Sequence, residues 1–159
     1  MRLPSWLTLL FFIVLCNGVG IVGSFAVMGE VGTWYATLLK PSFSPPNWVF
    51  APVWTVLYTL MGVATWLMLQ AKAEKHAQRN ALLVFFLQLF LNGIWSPIFF
   101  GAHAVGPALL VIYAILFSIV VTMFLFHSIR PLAAYLLFPY LFWVAFASTL
   151  NSAIWFLNY

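Results

Sequence analysis

Between Arg79 and Arg130 the chain runs for 50 residues without one charged side chain. As a single helix that stretch would be about 75 Å long, more than twice the roughly 30 Å hydrocarbon core of a bilayer. It must fold back, and Gly101, His103, Gly106 and Pro107 mark the place. Three other charge-free stretches are each long enough for one crossing, because a membrane helix needs about 20 mostly apolar residues. They are the 27 positions between Arg2 and Glu30, the 31 between Lys40 and Lys72, and the 29 after Arg130. The spacing predicts spans over 5–27, 46–70, 79–100, 106–127 and 131–156. Only 6 Lys/Arg and 2 Asp/Glu occur in 159 residues, whereas a soluble domain carries about 25% charged residues. The expected fold is therefore an all-α integral membrane protein, a single domain built as a five-transmembrane-helix bundle, with the lipid bilayer as its solvent.

A β-barrel would show segments of about ten residues alternating apolar and polar. LTLLFFIVL, LLVFFLQLF and LLVIYAILF do not alternate. The first span is longer than the apolar core of a signal peptide and is read as retained. Cys16 is the only cysteine, which excludes an internal disulfide and a cysteine-based metal cluster. The net charge of +4 comes from membrane-flanking residues, and no nucleic-acid partner is expected. Five spans put the termini on opposite sides. Arg2, Lys72, Lys75, Arg79 and Arg130 fall on the N-terminal side, and only Lys40 on the other. By the positive-inside rule the N-terminus is cytoplasmic and the C-terminus outside, in a bacterial cell membrane.

Residues 28–45 form the one long connection. Trp34 and Tyr35, followed by Leu38 and Leu39 three to four residues on, could share a helical face. Two readings stand: aromatics anchoring the loop at headgroup level, or a lid over a cavity. Pro45-Pro46 suits a helix start. Pro52, Pro97 and Pro139 are expected to kink their helices and leave room for a pocket. Gln88 and Asn92 share a face of the third span with Trp95 and Ser96 close to the same line. Trp143, Ala147 and Asn151 do so on the fifth beside Leu150, and Trp54 and Tyr58 on the second. Amides in lipid either bond between helices or meet a ligand.

These residues carry a resemblance. WYATLLKPSFSPPNWVFAPVWTVLY (Trp34 to Tyr58), QLFLNGIWSPIFFG (Gln88 to Gly101) and PYLFWVAFASTLN (Pro139 to Asn151) resemble, in order and spacing, the signature blocks of the tryptophan-rich sensory protein / translocator protein family, once called the peripheral benzodiazepine receptor. The resemblance covers all five spans. It implies a homodimer, and a pocket between the helices, closed by the first loop, that takes a porphyrin such as protoporphyrin IX or haem, or another hydrophobic small molecule. It implies no cofactor, with porphyrin or haem as ligand only. It places Trp34, Tyr35, Pro46, Trp54, Tyr58, Gln88, Asn92, Trp95, Trp143, Ala147 and Leu150 at the ligand, and leaves Asn151 as interhelical glue. The reading is a membrane receptor or sensor of tetrapyrroles. The alternatives are light- and oxygen-dependent degradation of protoporphyrin IX, and porphyrin or sterol transport.

The residues bound these alternatives. Glu30 and Glu74 are the only acids and both lie in loops, so no paired carboxylates exist for acid–base work. His76, His103 and His127 sit at span ends, His103 on the opposite side from the others. Photodegradation escapes this objection, since the pigment absorbs the light and oxygen is the oxidant, with Trp54 and Trp143 as oxidisable neighbours. Transport finds no intramembrane ionisable residue for coupling. No basic residue follows Arg130, so the sterol motif proposed for animal members, Leu/Val then Tyr then Lys/Arg, is incomplete. Lys40 is the one cation near the loop side; it either meets porphyrin carboxylates or is a helix-flanking surface charge. Gly20-x-x-x-Ser24 is the nearest pair of small residues for a dimer contact, and Gly93 could allow close approach on the third span.

Overall fold

The computed structural model describes residues 5–159; Arg2, used above for orientation, lies outside the described residues. Five long helical segments have the length and apolarity to cross a membrane, and among the described residues there is no strand. The first is α1 (Ser5–Val27). The second is a 3-10 turn, Asn47–Val49, continued by α3 (Phe50–Gln70). The third is α4 (Lys75–Ser96) continued by a π-turn, Pro97–Gly101. The fourth is α5 (Val105–Ile129). The fifth is split into α6 (Pro131–Tyr135) and α7 (Phe138–Asn158). Side contacts order the bundle as α1, α3, α6/α7, α5, α4 and back to α1.

The prolines act differently from one another. Pro97 opens the π-turn, because its missing N–H breaks the i→i−4 ladder of α4. Pro139 is the second residue of α7 and begins a new helix after the turn at Leu136–Leu137. Pro52 breaks no helical hydrogen bond. It falls in the first turn of α3, where the amide has no helical acceptor to lose.

Three approaches position α1 against its neighbours. A Cβ on Gly62 would lie 2.8 Å from the Ile13 Cα, so α3 meets the α1 backbone directly. Further along, a Cβ on Gly93 would lie 3.0 Å from Val19 Cγ1, and one on Gly23 would lie 3.7 Å from Ser96. The half of α1 nearer the first loop therefore leans on α4.

The first loop contains α2, only Trp34–Thr37. Leu38 turns extended, so the expected helical face linking Trp34 and Tyr35 to Leu39 does not form. The competitor is Asn158 at the end of α7. Its Oδ1 accepts from the Leu39 N–H at 2.9 Å, and its Nδ2 donates to the Leu39 carbonyl at 3.0 Å.

Candidate functional site

The helices enclose a cavity of about 440 Å³ between α1, α3, α4 and α7 on the side of the first loop, within the usual range of roughly 300–1,000 Å³ for ligand pockets. Tyr35, Trp54, Tyr58, Asn92, Trp95, Trp143, Ala147 and Leu150 all line it. These residues come from four separate parts of the chain. Trp54 and Tyr58 lie one turn apart on α3, their rings 5.3 Å apart, and Trp95 stacks on Phe99 at 5.0 Å. Phe50 meets the Trp143 ring edge-on at 5.7 Å. The indole N–H of Trp143 is buried and has no partner among the described residues.

At the base of the cavity a hydrogen-bond chain crosses three helices. The Tyr58 hydroxyl donates to the Asn92 carbonyl oxygen. The Asn92 amide donates to the Tyr140 hydroxyl at 2.9 Å, which donates to the Gln88 carbonyl oxygen at 2.8 Å. All four residues are buried. In a medium without water each of these groups needs a protein partner, and the chain provides one while fixing the orientation of Asn92. Gln88 is thus not a lining residue. It stands behind Tyr140, two bonds from the cavity.

Three other expected site residues fall elsewhere. Pro46 is exposed ahead of the second span. Trp34 lies outside the lining and stacks on His103, ring centroids 4.1 Å apart. Lys40 is folded back on its own loop: its Nζ donates to the carbonyls of Tyr35 and Leu38 at 2.7 and 3.0 Å and sits 4.7 Å from the Tyr35 ring centroid. Its charge is engaged there rather than aimed into the cavity. Tyr35 itself is buried against Phe99 and Phe100, and that burial pushes its phenol above the ordinary tyrosine value.

Asn151 combines the two roles set against each other. It accepts from the Trp95 indole at 3.3 Å, donates to the Val105 carbonyl at 3.2 Å, and lines the cavity. Sequence reasoning missed Tyr140, Phe99 and Gly20. Tyr140 carries the four-residue spacing that joins it to Trp143's neighbour Val144, but an apolar helix full of aromatics hides which hydroxyl turns inward. Gly20 was read only as a possible dimer contact. A Cβ there would collide with the Tyr58 ring.

Comparison with known proteins agrees with this architecture. The model of the TspO/MBR family matches residues 12–156. Tryptophan-rich protein TspO of Chlorobaculum tepidum is 41% identical over 152 residues, 96% of each chain. Translocator protein of Homo sapiens is 41% identical over 155 residues, 96% of this chain and 90% of its own. The Tryptophan-rich sensory protein of Cereibacter sphaeroides is 35% identical over 147 residues, 92% of this chain and 89% of its own.

Proposed function

The chain belongs to the TspO/MBR family, and from that premise we propose that it is a membrane receptor for tetrapyrroles such as protoporphyrin IX and haem, held inside the bundle. The observation that carries this reading is the cavity itself. Its walls present three indoles and two phenols around a largely apolar space. Flat aromatic faces suit a planar apolar macrocycle, since offset stacking and edge contacts add to simple burial. A small number of placed polar groups then fix its orientation. The partnerless Trp143 N–H is one such group, and the Tyr58–Asn92 pair is another. The names of the relatives, sensory and translocator, are consistent with binding that reports on or moves a small molecule.

Titration of the detergent-purified protein with protoporphyrin IX, read by tryptophan fluorescence, tests the proposal. Saturable quenching is expected, and its loss in the Trp54→Ala/Trp143→Ala double variant. Quenching unchanged in that variant would move the ligand out of this cavity. A second reading is favoured by the same indoles. Light absorbed by a bound porphyrin would let oxygen oxidise the macrocycle, with Trp54, Trp95 and Trp143 beside it as oxidisable neighbours. Equal consumption without oxygen would remove that reading and leave the receptor reading in place.

A further inference from the structure

The cavity has a roof and a side, and they are built differently. The roof is the first loop, and it is fastened at two places. At one, His103 Nε2 meets Glu30 Oε2 at 2.9 Å while the His103 ring stacks under Trp34. At the other, Asn158 closes both backbone groups of Leu39. Both fastenings lead to the ends of the third and fifth spans.

The side between α1 and α3 changes along its length. Away from the loop the two helices are sewn together. Trp66 Nε1 donates to the Ser5 carbonyl at 2.9 Å, Gly62 lies on the Ile13 backbone, and Asn17 Nδ2 donates to Thr59 Oγ1 at 3.3 Å. Beyond the level of Gly20 and Tyr58, α1 follows α4 through Gly23 and Ser96 instead. No hydrogen bond or aromatic pair joins α1 to α3 past that level among the described residues. There the cavity is lined by Ile21 and Ser24 from α1, by Asn47 from the 3-10 turn and by Ala51 and Thr55 from α3, and all five are exposed. Residues that both line a cavity and face outward mark its mouth. Ser24 and Thr55 donate their hydroxyl protons to their own helices, to the Ile21 and Ala51 carbonyls. Each therefore turns an oxygen lone pair to whatever passes.

We infer that the guest enters and leaves sideways, through the α1–α3 gap, from the bilayer leaflet on the side of the first loop, while the loop stays shut. This deepens the receptor reading and rests on it. It also names the form in which the ligand arrives: a membrane-dissolved amphiphile, with an apolar body and a polar edge carrying a hydrogen-bond donor, such as a protonated carboxyl, that the Ser24 and Thr55 oxygens can accept from.

Exchange kinetics in proteoliposomes test it. Protoporphyrin IX is bound, an excess of a colourless apolar competitor is added, and recovery from porphyrin quenching gives the release rate. Ser24→Phe and Ala51→Phe narrow the mouth from opposite helices and are expected to slow release about tenfold, the effect of a modestly raised barrier. Glu30→Gln and Asn158→Ala loosen the roof and are expected to leave the rate within about twofold. For the native chain, association at fixed total porphyrin should slow as lipid is added, because dilution within the bilayer lowers the concentration that matters. Faster release from the roof variants with no effect at the mouth would overturn the inference, as would an association rate that follows aqueous porphyrin alone. If the native chain binds no protoporphyrin at all, the receptor reading fails first. If it binds with the opposite kinetic pattern, only the lateral route fails.

Discussion

The indole of Trp34 lies flat on the imidazole of His103, centroids 4.1 Å apart and 10° from parallel, and the same imidazole meets the Glu30 carboxylate at 2.9 Å. One histidine thus joins the first loop to the turn after the third span. It does so from a left-handed backbone, φ +52°, a conformation that costs a residue with a Cβ roughly 1–2 kcal/mol. The position keeps a strained residue because its ring makes two contacts that glycine could not.

That trade can be measured. His103→Ala loses both contacts and keeps the strain, whereas His103→Gly loses the contacts and relieves it. Glycine should therefore be the more stable variant by about 1 kcal/mol, read as the difference in thermal unfolding midpoint in one detergent. An alanine variant as stable as the glycine variant would mean that the backbone at 103 relaxes freely. The ion pair contributes little to this comparison, since both partners are substantially exposed and such pairs are worth about 0–1 kcal/mol.

The buried chain from Tyr58 to Gln88 makes a different prediction. Tyr140→Phe strands the Asn92 amide and the Gln88 carbonyl in a water-free interior, with an expected loss of about 1–3 kcal/mol. Adding Gln88→Leu removes one stranded partner. The double variant should then be destabilised by less than the sum of the two single changes, as a double-mutant cycle would show. Strict additivity would mean that the two side chains do not depend on each other.

Five crossings were legible from charge and length, because lipid excludes charged side chains so strongly that eight of them partition the chain, and the 50-residue stretch is too long for one helix. The three signature blocks, through the family resemblance they carry, pointed to Trp54, Trp95 and Trp143, and all three line the cavity. Rotation about the helix axis was harder to read. Gln88 and Asn92 share a face by spacing, yet only Asn92 reaches the cavity, since Tyr140 from α7 fills the space in front of Gln88. Loop placement was harder still. Trp34 and Lys40 are positioned by His103, Tyr35 and Leu38, partners whose proximity follows from tertiary folding rather than from any local period.

Two glycines should separate stability from binding. Gly62→Ala puts a methyl group 2.8 Å from backbone atoms of α1, which cannot swing aside. A loss of about 1–3 kcal/mol is expected, typical of overpacking, with the unfolding midpoint as readout. At Gly20 the obstacle is the Tyr58 ring, whose hydroxyl is held by Asn92. Gly20→Ala should push that ring toward the cavity and weaken protoporphyrin IX binding about tenfold, with a smaller change in midpoint than Gly62→Ala. Equal affinity for the native and Gly20→Ala proteins would show that Tyr58 has room to retreat.

Orientation follows from where the basic residues sit relative to the spans. Lys72 and Lys75 lie at the α3–α4 connection, with Arg79 one turn into α4 and Arg130 between α5 and α6. All four are on one side of the bundle, and the loop containing Lys40 is on the other. Transfer of a basic loop away from the cytoplasm is disfavoured, so the first loop and the roof should face outward. In a bacterial host, alkaline phosphatase fused after Tyr159 should be active and β-galactosidase at the same place inactive. Substituting Lys72, Lys75, Arg79 and Arg130 together by glutamine should reduce phosphatase activity by mixing the two orientations. The opposite reporter pattern in the native chain would place the roof in the cytoplasm and reverse the leaflet from which the α1–α3 gap draws its guest.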